Sequence, residues 1–145
     1  AVGQAVVAVD SALRAGLVSA GQLARQLRGP GSVKARLALM ATDARSGSVI
    51  ETVVRLALAA AGLPVSPQVW IDGVGRVDFV VDGWLVVEID GFAYHSERRQ
   101  FREDRRRANA LVARGYVLLR FSYEDVVGRL DELVAVVVAA YAAGR

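Results

Sequence analysis

The sequence contains no cysteine. This absence excludes disulfide bonds, thiolate metal sites and cysteine nucleophiles, and it is compatible with the cytoplasmic localisation that we expect. We find no signal peptide. The longest apolar run, 133–143, is shorter than the roughly 20 residues that span a bilayer, so we expect no membrane partner. Because the chain starts at Ala1 rather than at a methionine, we expect it to be a fragment or a trimmed product.

Lysine and histidine are also scarce. The chain has seventeen arginines but a single lysine, Lys34, and a single histidine, His95. More than half of its 145 residues are hydrophobic, which excludes a disordered chain and allows one domain with a real core. Six arginines crowd into one stretch, at 98, 99, 102, 105, 106 and 107. A basic cluster of this kind favours a polyanionic partner. The alternative is a solvated helix face on which neighbouring acids offset the charge.

The order of hydrophobic patterns predicts a helical segment followed by an α/β domain. Residues 1–45 read as short helices, interrupted at Gly29-Pro30-Gly31. The remaining pattern predicts, in order, a helix 48–62, strands 68–72, 76–81 and 84–90, a helix 96–114, a strand 116–121 and a helix 123–142. A strand–helix–strand step favours a parallel crossover, so we expect a mixed β-sheet with helices on both faces. We therefore predict two parts, a helical linker or tail over 1–45 and a domain over 46–145.

Three acids stand in the predicted hairpin strands on either side of an Asp82-Gly83 turn signal: Asp78, Glu88 and Asp90. An ionised carboxylate is costly to desolvate unless a cation meets it. Side chains two residues apart in a strand share a face, so Glu88 and Asp90 point the same way. Together with Asp78 they suggest a site for a hard divalent cation such as Mg²⁺. The alternative is that the strand end emerges into solvent and the acids are only hydrated.

This interpretation sets a geometric condition on the hairpin. A simple two-residue turn would place Asp78 opposite Val87, on the wrong face for Glu88. A three-residue loop or a β-bulge would place Asp78 opposite Glu88 instead. The metal hypothesis therefore predicts an irregular hairpin.

The sequence leaves two roles open for each of two other polar residues, Glu51 and His95. Glu51 belongs to a Ser48-x-x-Glu51 capping pattern and could serve only the helix N-terminus. His95 could act as a general base or hold a phosphate, but a single loop histidine is often structural or exposed. Arg120, inside an apolar strand, is expected to have a specific partner among the acids.

Asp104 and Arg107 are three residues apart in a predicted helix. At this spacing the two side chains can form a pair on the helix surface.

These pieces, in this order, resemble a known family: Ser48-x-x-Glu51, Arg76-Val-Asp78, Val87-Glu88-Ile-Asp90-Gly91 with His95, Asp104-x-x-Arg107 and Gly115-Tyr-Val-Leu-Leu-Arg120-Phe. The family is domain of unknown function 559, which is similar to the very short patch repair endonuclease and belongs to the PD-(D/E)XK nuclease superfamily. The resemblance covers about residues 46–127. Residues 1–45 resemble the helical region between such domains and an N-terminal winged-helix, AbiEi-antitoxin-like module.

The resemblance implies a restriction-endonuclease-like fold, an α/β central mixed sheet flanked by helices, with an N-terminal helical extension. It implies Mg²⁺-dependent hydrolysis of DNA phosphodiesters, with Mn²⁺ as an alternative ion, in a bacterial protein of the DNA-repair type. By position, Asp78, Glu88 and Asp90 would bind the metal, and Glu51 and His95 would complete the catalytic set. The arginines Arg98, Arg99, Arg102 and Arg106 would contact DNA, and Asp104, Arg107 and Arg120 would support the site. Asp90 stands where the superfamily has a lysine.

Two functions follow, and they belong to different classes. The first is a metal-dependent DNA endonuclease. The second is a catalytically weakened DNA-binding or regulatory module of an AbiEi-antitoxin-like protein, which the missing lysine favours. The oligomeric state stays open, with a homodimer through the apolar helix 123–142 as one alternative.

Overall fold

A computed structural model describes residues 2–90 and 98–144, with side chains for 3–90 and 102–144. The chain packs as two units, Ala1–Leu56 and Ala57–Arg145. The boundary between residues 45 and 46 that we expect from the sequence stays a prediction. Across the described part of the chain, no helix is both long and apolar enough to cross a membrane.

The first unit is helical. Its helices are α1 (Val2–Arg14), α2 (Ala20–Gln26), α3 (Val33–Met40) and the start of α4 (Val49–Ala60). Ser19 caps α2 through a capping box, because its side chain accepts from the Gln22 amide and the Gln22 side chain accepts from the Ser19 amide. A short 3₁₀ turn, Pro30–Ser32, forms at the predicted break.

A buried ion pair joins α1 to α4 within this unit. Asp10 is fully buried, and its Oδ2 lies 2.8 Å from Nη2 of Arg55. The same carboxylate accepts from the Thr52 hydroxyl at 2.9 Å and from the Asp43 amide at 2.8 Å. Arg55 also donates to the hydroxyl of the buried Ser46. Because each charge is paired and hydrogen-bonded, the pair is tolerated away from water.

The second unit is built on a four-stranded mixed sheet in the order β1-β2-β3-β4. Its strands are β1 (Val65–Ile71), β2 (Gly75–Val81), β3 (Leu85–Asp90) and β4 (Val117–Ser122). The β1–β2 and β2–β3 pairs are antiparallel and the β3–β4 pair is parallel. The predicted mixed α/β sheet is therefore confirmed. Pro67 is tolerated in β1 because that strand lies at an edge of the sheet.

The helices of this unit are α5 (Arg98–Ala113), which connects the parallel strands, α6 (Tyr123–Gly128) and α7 (Leu130–Ala143). An apolar cluster joins α5 to the sheet through Leu111, Val77, Val80 and Val86. Trp84, at the β2–β3 turn, stacks on Tyr141 of α7 with ring centroids 6.3 Å apart.

The single helix predicted over 123–142 is wrong, because the structure has two helices there. Ser122 starts α6 with a capping box to Asp125. The backbone then leaves helical geometry at Arg129, whose φ is −142° and ψ is 37°. Gly128 directly precedes this break, and glycine is a poor helix former. The apolar pattern continues across the break, which is why periodicity alone misses it.

The first prediction concerns the buried pair of the helical unit. Replacing Asp10 with alanine leaves the Arg55 guanidinium without its buried partner, and we expect a loss of about 3–5 kcal/mol in the free energy of unfolding. Arg45→Ala is the matched control, because the Arg45–Asp43 pair is largely exposed and should contribute about 0–1 kcal/mol. Denaturant unfolding followed by circular dichroism measures both variants. Equal losses would contradict the structural role of Asp10.

Candidate active site at the divergence of two strands

The β2–β3 hairpin has the irregular geometry that the acids predict. Asp82 and Gly83 have positive φ angles of 48° and 73°, and the Trp84 amide donates to the Val81 carbonyl at 3.2 Å. Val81 nevertheless pairs with Leu85 rather than with Trp84. The loop therefore contains three residues, and Trp84 is the extra residue of a bulge. This register shift is what places Asp78 opposite Glu88.

The two strands diverge at these acids. The pairing ends at Phe79 and Val87, and Asp78 and Glu88 are the next residues on the two strands. Beyond this point the Ile89 amide donates to Oδ2 of Asp78 at 2.9 Å. The Asp78 carboxylate thus accepts a hydrogen bond from the β3 backbone just beyond the end of the β2–β3 pairing. On its other side, β3 continues to pair with β4 as far as Asp90 and Ser122.

Gln68 of β1 takes part in the same arrangement. It has a left-handed φ of 53°, and the β1–β2 pairs run from Pro67–Phe79 directly to Val69–Val77. Its Nε2 lies 3.4 Å from Oδ1 of Asp78, a long hydrogen bond. Sequence reasoning missed Gln68, because a glutamine in a strand gives no local signal for a left-handed backbone.

Glu88 is largely buried and lies between two guanidinium groups. Nη2 of Arg107, from α5, donates to its Oε1 at 2.8 Å, and Nε of Arg120, from β4, lies 3.8 Å from its Oε2. Burial raises the pKa of Glu88 above its ordinary value, against the opposing charges of Arg107 and Arg120. The neighbouring charges of Asp78 and Asp90 raise this pKa further.

Arg120 confirms the expectation that it has specific acidic partners. It lies directly across from Glu88 in the parallel β3–β4 register, and its Nη2 donates to Oδ1 of Asp90 at 2.7 Å. Burial by itself would lower the pKa of Arg120, but the hydrogen bond to Asp90 and the charges of both acids raise it overall.

Arg107 reaches from α5 to the ends of two strands. Its Nη2 donates both to Glu88 and to the carbonyl oxygen of Arg76 at 2.8 Å. It therefore connects α5 to β2 and β3 at the point where these strands separate.

The remaining predicted site residues are placed as follows. Glu51, in the helical unit, accepts from the Gly47 amide at 2.7 Å, and its own amide donates to Ser48 at 3.1 Å, so it performs the capping role. Arg102 and Arg106 are exposed on α5, with Arg106 lying 3.7 Å from Glu103.

The structure does not describe the side chains of three further predicted residues. His95 lies outside the described residues, as do the side chains of Arg98 and Arg99. Their predicted roles, and the catalytic role of Glu51, stay predictions.

Within residues 2–90 and 98–144, no group of three or more acids or histidines is arranged to hold a metal ion. The acids at the divergence instead share two arginines, since Glu88 contacts both Arg107 and Arg120, and Asp90 contacts Arg120. Glu88 and Asp90 are therefore both paired with guanidinium groups of the protein itself.

The sequence and the fold both have counterparts among known proteins. The model of REase_MTES_1575, a restriction-endonuclease-like family, matches residues 50–140, which is more than half of the chain. The chain belongs to this family. The resemblance to PD-(D/E)XK-like nucleases drawn from the sequence is thus confirmed.

Among solved structures, this chain is similar to the catalytic domain of the homing endonuclease I-Bth0305I. The TM-score is 0.56 and the sequence identity 18%, over 65% of this chain and 94% of that chain. At this identity the likeness is one of fold, and it agrees with the predicted fold class. No curated protein sequence matches the chain significantly.

The second prediction follows from the raised pKa of Glu88. Because its pKa is higher in the folded than in the unfolded chain, Glu88 favours folding most below its unfolded pKa, and this contribution is lost as the pH rises through the folded pKa. Glu88→Gln removes the titration. We expect this variant to gain stability relative to the wild type as the pH rises from about 4 to 7, measured by urea unfolding at each pH. Asp82→Asn, in the exposed turn, is the control. Parallel curves for wild type and Glu88→Gln would contradict the raised pKa.

Proposed function

We propose that this protein is a metal-dependent DNA endonuclease of the PD-(D/E)XK type. The observation that carries the proposal is the pair Asp78 and Glu88, which face each other where β2 and β3 diverge in a restriction-endonuclease-like chain. The burial of Glu88, which raises its pKa, adds support, because perturbed carboxylates concentrate at functional sites.

The carboxylate oxygens at this site are suitable ligands for a hard divalent cation. Mg²⁺ is commonly held by one or two carboxylates, with water and substrate phosphate oxygens completing its shell. Asp78 and Glu88 would supply these carboxylates, with Asp90 close by. When bound, such an ion polarises the scissile phosphate and lowers the pKa of a coordinated water.

The chain's own groups would position the substrate. Arg107 and Arg120 hold the carboxylate of Glu88 and bring positive charge to the strand ends, where a phosphodiester would accept hydrogen bonds from guanidinium groups. Arg102 and Arg106, exposed on α5, would contact backbone phosphates without reading sequence. His95 remains the proposed proton relay on the basis of the sequence alone.

A second function is a regulatory module that binds DNA without cleaving it. The observation that favours it is the Asp90–Arg120 ion pair, because the position of the superfamily lysine is occupied by an acid that neutralises a neighbouring guanidinium. This module would bind DNA through α5 but would not hydrolyse it with any divalent ion.

The third prediction tests hydrolysis. With Mg²⁺ or Mn²⁺ and a mixture of plasmid and single-stranded DNA, we expect cleavage that Asp78→Asn and Glu88→Gln each reduce by at least about 10- to 100-fold, the loss typical of disturbing a metal site. Asp82→Asn is the matched control, since it changes an exposed carboxylate on the same hairpin, and asparagine tolerates the positive φ. Cleavage unchanged in both site variants would refute the assignment. DNA binding with no cleavage in either metal would favour the regulatory module.

The fourth prediction tests the DNA-binding face of α5. The logarithm of the affinity should fall linearly with the logarithm of the salt concentration. Arg102→Ala and Arg106→Ala should each reduce the slope by about 1, the effect of losing one phosphate contact. Arg129→Ala, which removes the same charge from the break between α6 and α7, should leave the slope unchanged. Fluorescence anisotropy with the metal chelated measures all three variants. Equal slopes in every variant would exclude α5 as the phosphate-binding face.

A further inference from the structure

The end of the β1–β2 hairpin presents an aromatic surface that the proposed chemistry does not use. Trp70 is 71% exposed although it lies within a β-strand. It lines an open cavity of about 420 Å³ together with Ile71, Asp72, Arg114 and Tyr116. A volume in this range is typical of sites that accept a small ligand or a single chemical group.

Arg114 is fixed at the rim of this cavity. Its Nη1 donates to the carbonyl oxygen of Ala110 at 3.0 Å, and its guanidinium lies against the backbone of Gly73. Gly73 has a positive φ of 72°, and a Cβ at this position would collide with Nη2 of Arg114. The positive φ of the turn favours a glycine here, and the exposed Arg114 side chain lies in the space that this glycine leaves.

The side chains that line the cavity suit a nucleobase better than a phosphate. A phosphate site would collect cations, whereas here the acidic Asp72 lines the same space as Arg114. A nucleobase carries both hydrogen-bond donors and acceptors on its edge, which an acid and a guanidinium can satisfy together. It also has an apolar face that stacks on an aromatic ring such as Trp70.

The cavity is also connected to the acids by a short series of contacts. Trp70 pairs across the β1–β2 ladder with Arg76. The carbonyl oxygen of Arg76 accepts from Nη2 of Arg107, and the same nitrogen donates to Glu88. The Trp70 surface and Glu88 therefore belong to strands of one sheet that Arg76 and Arg107 connect.

We propose that Trp70, with Arg114 and Asp72, forms a subsite that stacks and hydrogen-bonds an unpaired nucleobase of the bound nucleic acid. The base must be unpaired because in a duplex its faces are stacked and its pairing edge is occupied. This inference rests on the proposed function for the identity of the substrate class. Binding at this subsite requires neither the metal nor cleavage.

The fifth prediction is tested by binding in EDTA, so that no hydrolysis occurs. We expect Trp70→Ala to weaken the binding of a fluorescently labelled single-stranded oligonucleotide by about 5- to 150-fold, the loss of one stacked base. Trp70→Phe should retain most of the affinity, because an aromatic face remains. A fully paired duplex should bind wild type and Trp70→Ala within about twofold. Val112→Ala, another exposed apolar residue of this unit, should change neither affinity.

Tryptophan fluorescence reports the contact directly. Trp84 is buried and stacked, so a base that stacks on Trp70 should quench the wild type and leave Trp70→Phe unquenched. Quenching absent from the wild type, or equal losses of single-stranded and duplex binding in Trp70→Ala, would overturn the proposal. A dimer in sedimentation that Trp70→Ala dissociates would overturn it too, since the ring would then face a second copy. Failure of metal-dependent cleavage alone would leave these results intact, so the two proposals fail separately.

Discussion

The desolvated carboxylate of Glu88 is the constraint on which the second unit depends. A carboxylate held away from water needs cations, and here they come from two different elements, Arg107 of α5 and Arg120 of β4. The interaction therefore ties the crossover helix and the parallel strand to β3 at one point. It also explains why apolar strands carry charged residues at their ends.

The divergence of β2 and β3 depends on a second carboxylate. Asp78 accepts from the Ile89 amide, so β3 can leave β2 without burying an unsatisfied donor. A hydrophobic residue at 78 would provide no such acceptor. The same side chain is thus a structural part of the strand separation and a candidate ligand, and for that reason the cleavage test uses Asp78→Asn, which keeps an acceptor oxygen.

Much of this unit could be predicted from the sequence, because charged side chains that must face each other require a particular register of the strands. Requiring Asp78 to face Glu88 predicted the irregular hairpin, and the lone arginine in an apolar strand predicted an acidic partner for Arg120. Long-range contacts decide what local spacing leaves open. By spacing Arg107 can pair with Asp104 on the helix surface, and α5 also brings it to Glu88. The left-handed backbone of Gln68 has no local signal. The helix break at Arg129 has one in Gly128, but the continuous apolar pattern conceals it.

Asp90, where the resemblance implies a lysine, makes the charge at the strand ends more negative. With all groups ionised, Asp78, Glu88 and Asp90 together carry one more negative charge than Arg107 and Arg120, which contact Glu88 and Asp90, carry positive charge. A lysine at 90 would have left one positive charge instead. A negative cluster attracts divalent cations more strongly and phosphate less strongly. Charge stabilisation of a phosphodiester would then fall to Arg107 and Arg120, the two guanidinium groups beside Glu88.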